Sequence, residues 1–144
     1  YVKKLSKLYK NTVPIIQPEE LQEAMDAEEE LVLLDTRQPR EYEVSHLPGA
    51  KFVNFNKFNK KDFAKMDRSA KVIVYCSVGY RSERIGEKLK KMGFENVQNL
   101  YGGIFEWKNQ GHGVVNESGS ETERVHCYNK DWGRWLKDGE KVYK

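Results

Sequence analysis

The chain has 144 residues, of which 33% are charged, and carries a net charge of +3 from 25 basic and 22 acidic side chains. That length suits one domain with a buried core, and the near-balance of charge gives no nucleic-acid signature. No apolar run approaches transmembrane length, and two cysteines do not make a disulfide framework.

Residues 1–12 read as a lead segment. Val13-Pro14-Ile15-Ile16 is a short apolar run that fits a first strand, and Pro14 suggests a sheet edge. Gln17-Pro18-Glu19-Glu20 reads as a helix start, with proline in the first turn and two acids complementing the dipole. Leu21, Ala24 and Met25 give that helix its inner face. Residues 31–35 form a continuous apolar run ending in a charge, which fits a buried parallel strand. A short helix over 40–44 and a turn at His46-Leu47-Pro48-Gly49 lead into a strand over 51–55. The lysine-rich stretch that follows is expected to form a helix through Phe58, Phe63 and Met66. Its lysines alternate with Asp62 and Asp67 as a solvated face, whose weak positive field also draws in small anions.

Residues 71–75 are β-branched and aromatic, as a buried strand should be. Ile85, Leu89 and Met92 then recur at helical spacing. Gly93 sits where a left-handed cap is expected, with Phe94 placed to pack back on the helix. A strand over 96–100, a tight turn at Gly102-Gly103 and a short helix over 104–110 follow. Strands alternating with helices at this spacing give an α/β fold with a parallel sheet. From Asn116 the sequence turns polar and turn-like. Tyr128, Trp132, Trp135 and Leu136 then recur at helical spacing, opposite Lys130, Asp131, Arg134 and Lys137, although Gly133 weakens a helix there. Such a face packs on its own domain more often than it meets a partner.

Cys76 stands where the strand over 71–75 turns over into a helix, opening the loop Cys76-Ser77-Val78-Gly79-Tyr80-Arg81. Backbone amides at such a turn and the positive end of the helix dipole make an anion cradle. A thiolate, the reactive form of cysteine, is at home there. Arg81 adds a permanent charge with a planar fork of donors. A small buried residue ending a strand is the plainer reading of a cysteine, but that role needs neither Gly79 nor Arg81. Cys76 is therefore read as a nucleophile.

The chain resembles the single-domain rhodaneses, a family of sulfurtransferases. The resemblance is carried by Leu33-Leu34-Asp35-Thr36-Arg37 with Glu41-Tyr42 and Ser45-His46-Leu47-Pro48-Gly49-Ala50, by the loop from Cys76, and by Asn99-Leu100-Tyr101-Gly102-Gly103-Ile104 with Trp107. It covers residues 13–115, leaving 116–144 as a carboxyl-terminal aromatic extension packed on the core. It implies a five-stranded, mainly parallel sheet with helices on both faces, and a supporting role for Asp35 and Arg37. Read from their positions alone, Asp35 and Arg37 form a buried or half-buried ion pair bracing loops. Glu41 and His46 read as structural. No His, Cys, Asp and Glu cluster has metal-ligand spacing, and no cofactor is called for.

Three functions are weighed. In the first, Cys76 takes the outer sulfur of thiosulfate or a similar donor as a persulfide, the loop from Ser77 to Arg81 holds the charge, and cyanide or a thiol accepts the sulfur. The second is a phosphatase or arsenate reductase, disfavoured because the related cell-cycle phosphatases carry one more loop residue than the four between Cys76 and Arg81. The third is a sulfur carrier or interaction module working with a protein donor or acceptor. Cys127 reads as a passive thiol rather than one that resolves a Cys76 persulfide. A free catalytic thiol suits the reducing cytoplasm, while a start at Tyr1 leaves room for a signal peptide or lipid anchor ahead of it.

Overall fold

The computed structural model describes residues 9–10, 12–128 and 130–144, with only the backbone described at Asp131. Five strands make one sheet: β1 (Ile15–Ile16), β2 (Val32–Asp35), β3 (Lys51–Phe52), β4 (Lys71–Tyr75) and β5 (Asn96–Leu100). Their order is β1-β5-β4-β2-β3, and each neighbouring pair is parallel. Parallel neighbours need crossovers. These are α1 (Pro18–Asp26), α2 (Pro39–Val44), a 3-10 turn (Lys60–Phe63) and α3 (Tyr80–Lys91), with α4 (Gly103–Asn109) following β5.

Side chains alternate across a strand, so each strand feeds two cores. Leu33, Ile73, Tyr75 and Leu100 pack on one face with Leu21 of α1 and Ile104, Phe105 and Trp107 of α4. Leu34, Val72, Val74 and Val97 pack on the other with Phe63 and with Ile85 and Leu89 of α3. The chain is thus an α/β protein with a five-stranded parallel sheet covered on both faces. Central β4 is sealed from Val72 to Tyr75, which fixes in space the loop that it delivers. After α3, Gly93 adopts φ 96° and Phe94 folds back, its N–H donating to the Leu89 carbonyl at 3.2 Å.

Two segments depart from their expected form. The edge strand ends at Phe52 rather than at 55, and the lysine-rich stretch makes one 3-10 turn rather than a helix. Asn54, Asn59 and Asp67 each accept a hydrogen bond from the backbone N–H two residues on, at 2.9–3.0 Å. Such local turns compete with helix formation. Phe58 and Met66 nevertheless pack on the second core.

The carboxyl-terminal part holds an antiparallel pair, β6 (Val114–Val115) and β7 (Glu121–Thr122), and a parallel pair, β8 (Arg124–His126) and β9 (Glu140–Val142). Among the described residues helix there is the single turn α5 (Lys130–Gly133). Tyr128, left-handed at φ 67°, lies outside it, and the helix ends at Gly133, the residue that weakens it in the sequence. Val125, Cys127 and Leu136 are buried in the first core, and Trp132 and Trp135 pack against it. Among the described residues no helix is long and apolar enough to cross a membrane. Residues 1–8 and Asn11 of the lead segment, and the side chain of Asp131, lie outside the described part.

Candidate active site

Cys76 leaves the end of β4, and Gly79 ends the loop as the N-cap of α3 in the left-handed region, φ 109°. A glycine is needed there twice over. The backbone conformation is one that side chains rarely adopt, and a Cβ would overlap the ring and hydroxyl of Tyr9. The Gly79 N–H donates to Cys76 Sγ at 3.0 Å, and Ser82 Oγ lies 3.5 Å from the same sulfur. Ser82 in turn donates to Asn99 Oδ1 at 2.6 Å, and Asn99 Nδ2 donates to the Gly79 carbonyl at 3.0 Å. The nucleophile candidate is thus hydrogen-bonded at the amino end of a 12-residue helix, where the dipole favours negative charge.

Arg81 occupies the first turn of α3. Its Nη1 is 3.5 Å from Glu41 Oε1, and its guanidinium lies 4.8 Å from the Tyr128 ring centre and 5.8 Å from that of Phe55. Glu41 is buried and also accepts from Ser77 Oγ at 3.0 Å and from the Gln38 N–H at 3.0 Å. One carboxylate therefore caps α2 and holds two side chains of the loop. The local pattern Gln38-Pro39-Arg40-Glu41 announces the cap, but the reach to Ser77 and Arg81 is tertiary.

Asp35 and Arg37 are both wholly buried. Arg37 donates to Asp35 through Nε at 2.9 Å and Nη2 at 2.7 Å, and also to the Ser45 carbonyl at 2.5 Å. Burial by itself lowers a guanidinium's pKa, but the charge and hydrogen bonds of Asp35 outweigh it and hold Arg37 above its ordinary value. Tyr75 donates to Asp35 Oδ2 at 2.7 Å and accepts from the Leu47 N–H at 3.1 Å. Burial first, and then Asp35, push the Tyr75 hydroxyl well above the usual tyrosine range. The pair thus ties β2 and the loop before β3 to the residue immediately preceding Cys76.

A cavity of about 250 Å³ opens over the loop, lined by Cys76, Ser77, Val78, Tyr80, Arg81, Tyr128 and Trp132. The last two come from the carboxyl-terminal extension. Their spacing was visible in the sequence, but their place at the mouth of the loop was not. Cys127, next to Tyr128, is fully buried and donates to the Val125 carbonyl at 3.5 Å; burial pushes its thiol up. His46 stacks on Tyr42 at 3.9 Å and does not line the cavity. No group of three or more His, Cys, Asp or Glu side chains among the described residues is placed to hold a metal ion.

The Tyr128 N–H donates to His126 Nδ1 at 3.0 Å, so that nitrogen must keep its lone pair. Burial lowers the His126 pKa, and the Arg37 and Arg40 charges add to this against Glu41. Its folded value therefore lies below its unfolded one, and the unfolded chain binds more protons. The associated stability is complete above about pH 6.5, the ordinary histidine value, and is lost as the pH falls through the folded value. We expect the melting temperature to drop more between pH 7.5 and 5.5 in the parent than in His126→Asn, which cannot titrate. His112, also lowered by burial, keeps its share in both. Equal slopes by scanning fluorimetry would show that His126 does not carry the effect.

Residues 17–110 match the Rhodanese-like domain family. The probable adenylyltransferase/sulfurtransferase MoeZ of Mycobacterium tuberculosis is 33% identical over 96 residues, 66% of this chain and 24% of that protein. The putative sulfur carrier protein YrkF of Bacillus subtilis is 30% identical over 97 residues, 67% of this chain and 52% of its own length. The tRNA uridine(34) hydroxylase of Bacillus licheniformis is 34% identical over 94 residues, 62% of this chain and 29% of its own. The chain thus spans only a quarter to a half of these relatives. The solution structure of the rhodanese-like domain of the Anabaena sp. Alr3790 protein superposes with a TM-score of 0.66 at 23% identity, covering 72% of this chain and 79% of that one, which bears on the fold. With that fold, a cysteine loop between β4 and α3, and the family's match over residues 17–110, the chain belongs to the rhodanese-like domain family.

Proposed function

We propose that the protein is a sulfurtransferase that moves a sulfane sulfur from thiosulfate, or a related donor, to a thiophilic acceptor. The observation that carries this reading is the Gly79 N–H aimed at Cys76 Sγ from 3.0 Å at the head of α3. A thiolate there is stabilised by a fixed dipole, and so is the persulfide anion that replaces it. The Cys76 thiolate attacks the outer sulfur of thiosulfate; a new S–S bond forms, the old one breaks, and sulfite leaves with its electron pair. Cyanide or a thiolate then takes the outer sulfur and returns Cys76 to its thiolate. In this reading the amides of Ser77, Val78, Gly79 and Tyr80 hold the persulfide charge. Arg81 binds the donor's oxygens, and Asp35 and Arg37 support the loop. Residues 13–115 form the catalytic unit, and Tyr128 and Trp132 wall its mouth.

Incubation with thiosulfate should add one sulfur atom to the Cys76 peptide by mass spectrometry and release one equivalent of sulfite. A chain that stays unmodified while its thiol alkylates normally would exclude thiosulfate as donor. The name of YrkF favours a second reading, a carrier loaded by another protein. Slow loading from thiosulfate beside fast exchange with a protein persulfide would select it.

Arg81→Lys keeps the charge and loses the fork. If Arg81 grips the donor, thiosulfate kcat/KM should fall about tenfold or more, roughly the loss of one charged hydrogen bond. Iodoacetamide alkylation of Cys76 should change little. Equal, small effects on both would give Arg81 a different job.

A further inference from the structure

A trans peptide unit is planar, so its C=O and its N–H point in opposite directions, and the described residues contain no cis bond. In the active loop four successive carbonyls each have a donor behind them. The Ile104 N–H reaches Cys76 O at 2.9 Å, and the Phe105 N–H reaches Ser77 O at 3.2 Å. Tyr9 Oη reaches Val78 O at 2.5 Å, and Asn99 Nδ2 reaches Gly79 O at 3.0 Å. Each anchored carbonyl directs the following N–H the other way. The Val78–Gly79 unit is the one whose N–H meets Cys76 Sγ at 3.0 Å, and a tyrosine side chain holds its carbonyl.

The direction of that tyrosine bond is forced. Tyr9 Oη also lies 2.9 Å from the Gly102 N–H, which can only donate. The single hydroxyl proton of Tyr9 is therefore left for Val78 O. Burial pushes the hydroxyl well above the usual tyrosine range, which keeps the proton in place. Tyr9 is buried, 69 residues from Val78 in sequence, and precedes the stretch that matches the family. Its neighbours hold it there: the Lys10 N–H donates to Glu83 Oε1 at 2.8 Å, and Thr12 Oγ1 donates to Glu87 Oε2 at 2.6 Å, both acceptors on α3.

We infer that Tyr9 is a positioning residue for the nucleophile: it draws the Val78 carbonyl away from the thiol and so turns the Gly79 amide onto Cys76 Sγ. The anion cradle is then completed by a residue from outside the family's own segment. The inference rests on the reading of Cys76 as the nucleophile. The competing account is that Tyr9 only fills space beneath the loop, where its ring meets Tyr101 edge-on at 6.0 Å.

Tyr9→Phe separates the two, because it keeps the ring and removes the hydroxyl. Thr12→Val is the control: it loosens the same segment from α3 without touching the loop. The measurement is the alkylation rate of Cys76 by iodoacetamide at pH 7, resolved by peptide mass so that Cys127 does not contribute. Melting temperature is recorded alongside. Tyr9→Phe should alkylate about 3- to 10-fold more slowly, the effect of one hydrogen bond, while Thr12→Val keeps the parent rate whatever it does to melting. An unchanged or faster rate in Tyr9→Phe, or an equal slowing in Thr12→Val, would leave Tyr9 a packing residue only. Alkylation needs no sulfur donor, so a parent protein that fails to load from thiosulfate would count against the sulfur-transfer reading and leave this comparison intact.

Discussion

Cys76→Ser is expected to bring sulfur transfer from thiosulfate to cyanide down to the uncatalysed background, a loss of about 10³-fold or more, the scale on which deleting a nucleophile acts. Serine fits the same space, and the Gly79 N–H that met Cys76 Sγ would still find an acceptor. What disappears is an atom able to carry a second sulfur between two half-reactions. The variant should melt within a degree or two of the parent, because the side chain's volume hardly changes and the Gly79 N–H keeps an acceptor. Parent kinetics with both substrates varied should give parallel double-reciprocal lines, the mark of a two-step covalent route. Sulfite release and peptide mass measure the two halves separately. Transfer by Cys76→Ser at the parent rate would remove Cys76 from the mechanism, and Cys127, fully buried, would not readily replace it.

Arg37→Leu should have the other large effect, this time on stability. It leaves the Asp35 carboxylate at 0% exposure without its cation and strips a donor from the Ser45 carbonyl. Removing one partner of a buried ion pair costs about 3–5 kcal/mol, a large part of the roughly 5–15 kcal/mol that holds a typical domain together. Urea unfolding should show the midpoint falling with the slope unchanged. The double variant Asp35→Leu with Arg37→Leu should recover much of the loss, since no charge is then stranded, although Tyr75 loses its acceptor. A double variant as unstable as the single one would mean that packing, not charge, is what Arg37 supplies. Sulfur transfer by the fraction that stays folded should be nearly normal, as befits a support rather than a participant.

The parts of this molecule that were legible in the sequence are those whose causes are local. The β-branched run of β4, the helical spacing of α3 and the glycine after it each specify their own geometry within a dozen residues. Cys76 could therefore be placed at a strand-to-helix turn without coordinates. The lysine-rich stretch misled because apolar spacing suggested a helix while Asn54, Asn59 and Asp67 offered the backbone nearer partners. Tyr128, Trp132, Trp135 and Leu136 misled in the same way, since a left-handed backbone keeps Tyr128 out of the helix and the helix ends at Gly133, before Trp135 and Leu136. The contacts of Glu41 with Ser77 and Arg81 span 36 and 40 residues, and that of Tyr9 with Val78 spans 69. One chain's sequence holds no local signal for contacts of that kind.

The setting of Arg81, between the Glu41 carboxylate and the rings of Tyr128 and Phe55 with only 22% of its side chain exposed, changes how binding at the loop would be driven. A free arginine side chain has about 2 kcal/mol of rotamer entropy to lose when it grips an anion. Here folding has already removed most of that freedom, so on the proposed reading a donor would meet a receptor with little left to order. Such a receptor does not reshape itself around its guest. On that reading it would discriminate by outline, and an anion too broad to sit between the guanidinium and Cys76 would gain nothing from carrying more charge.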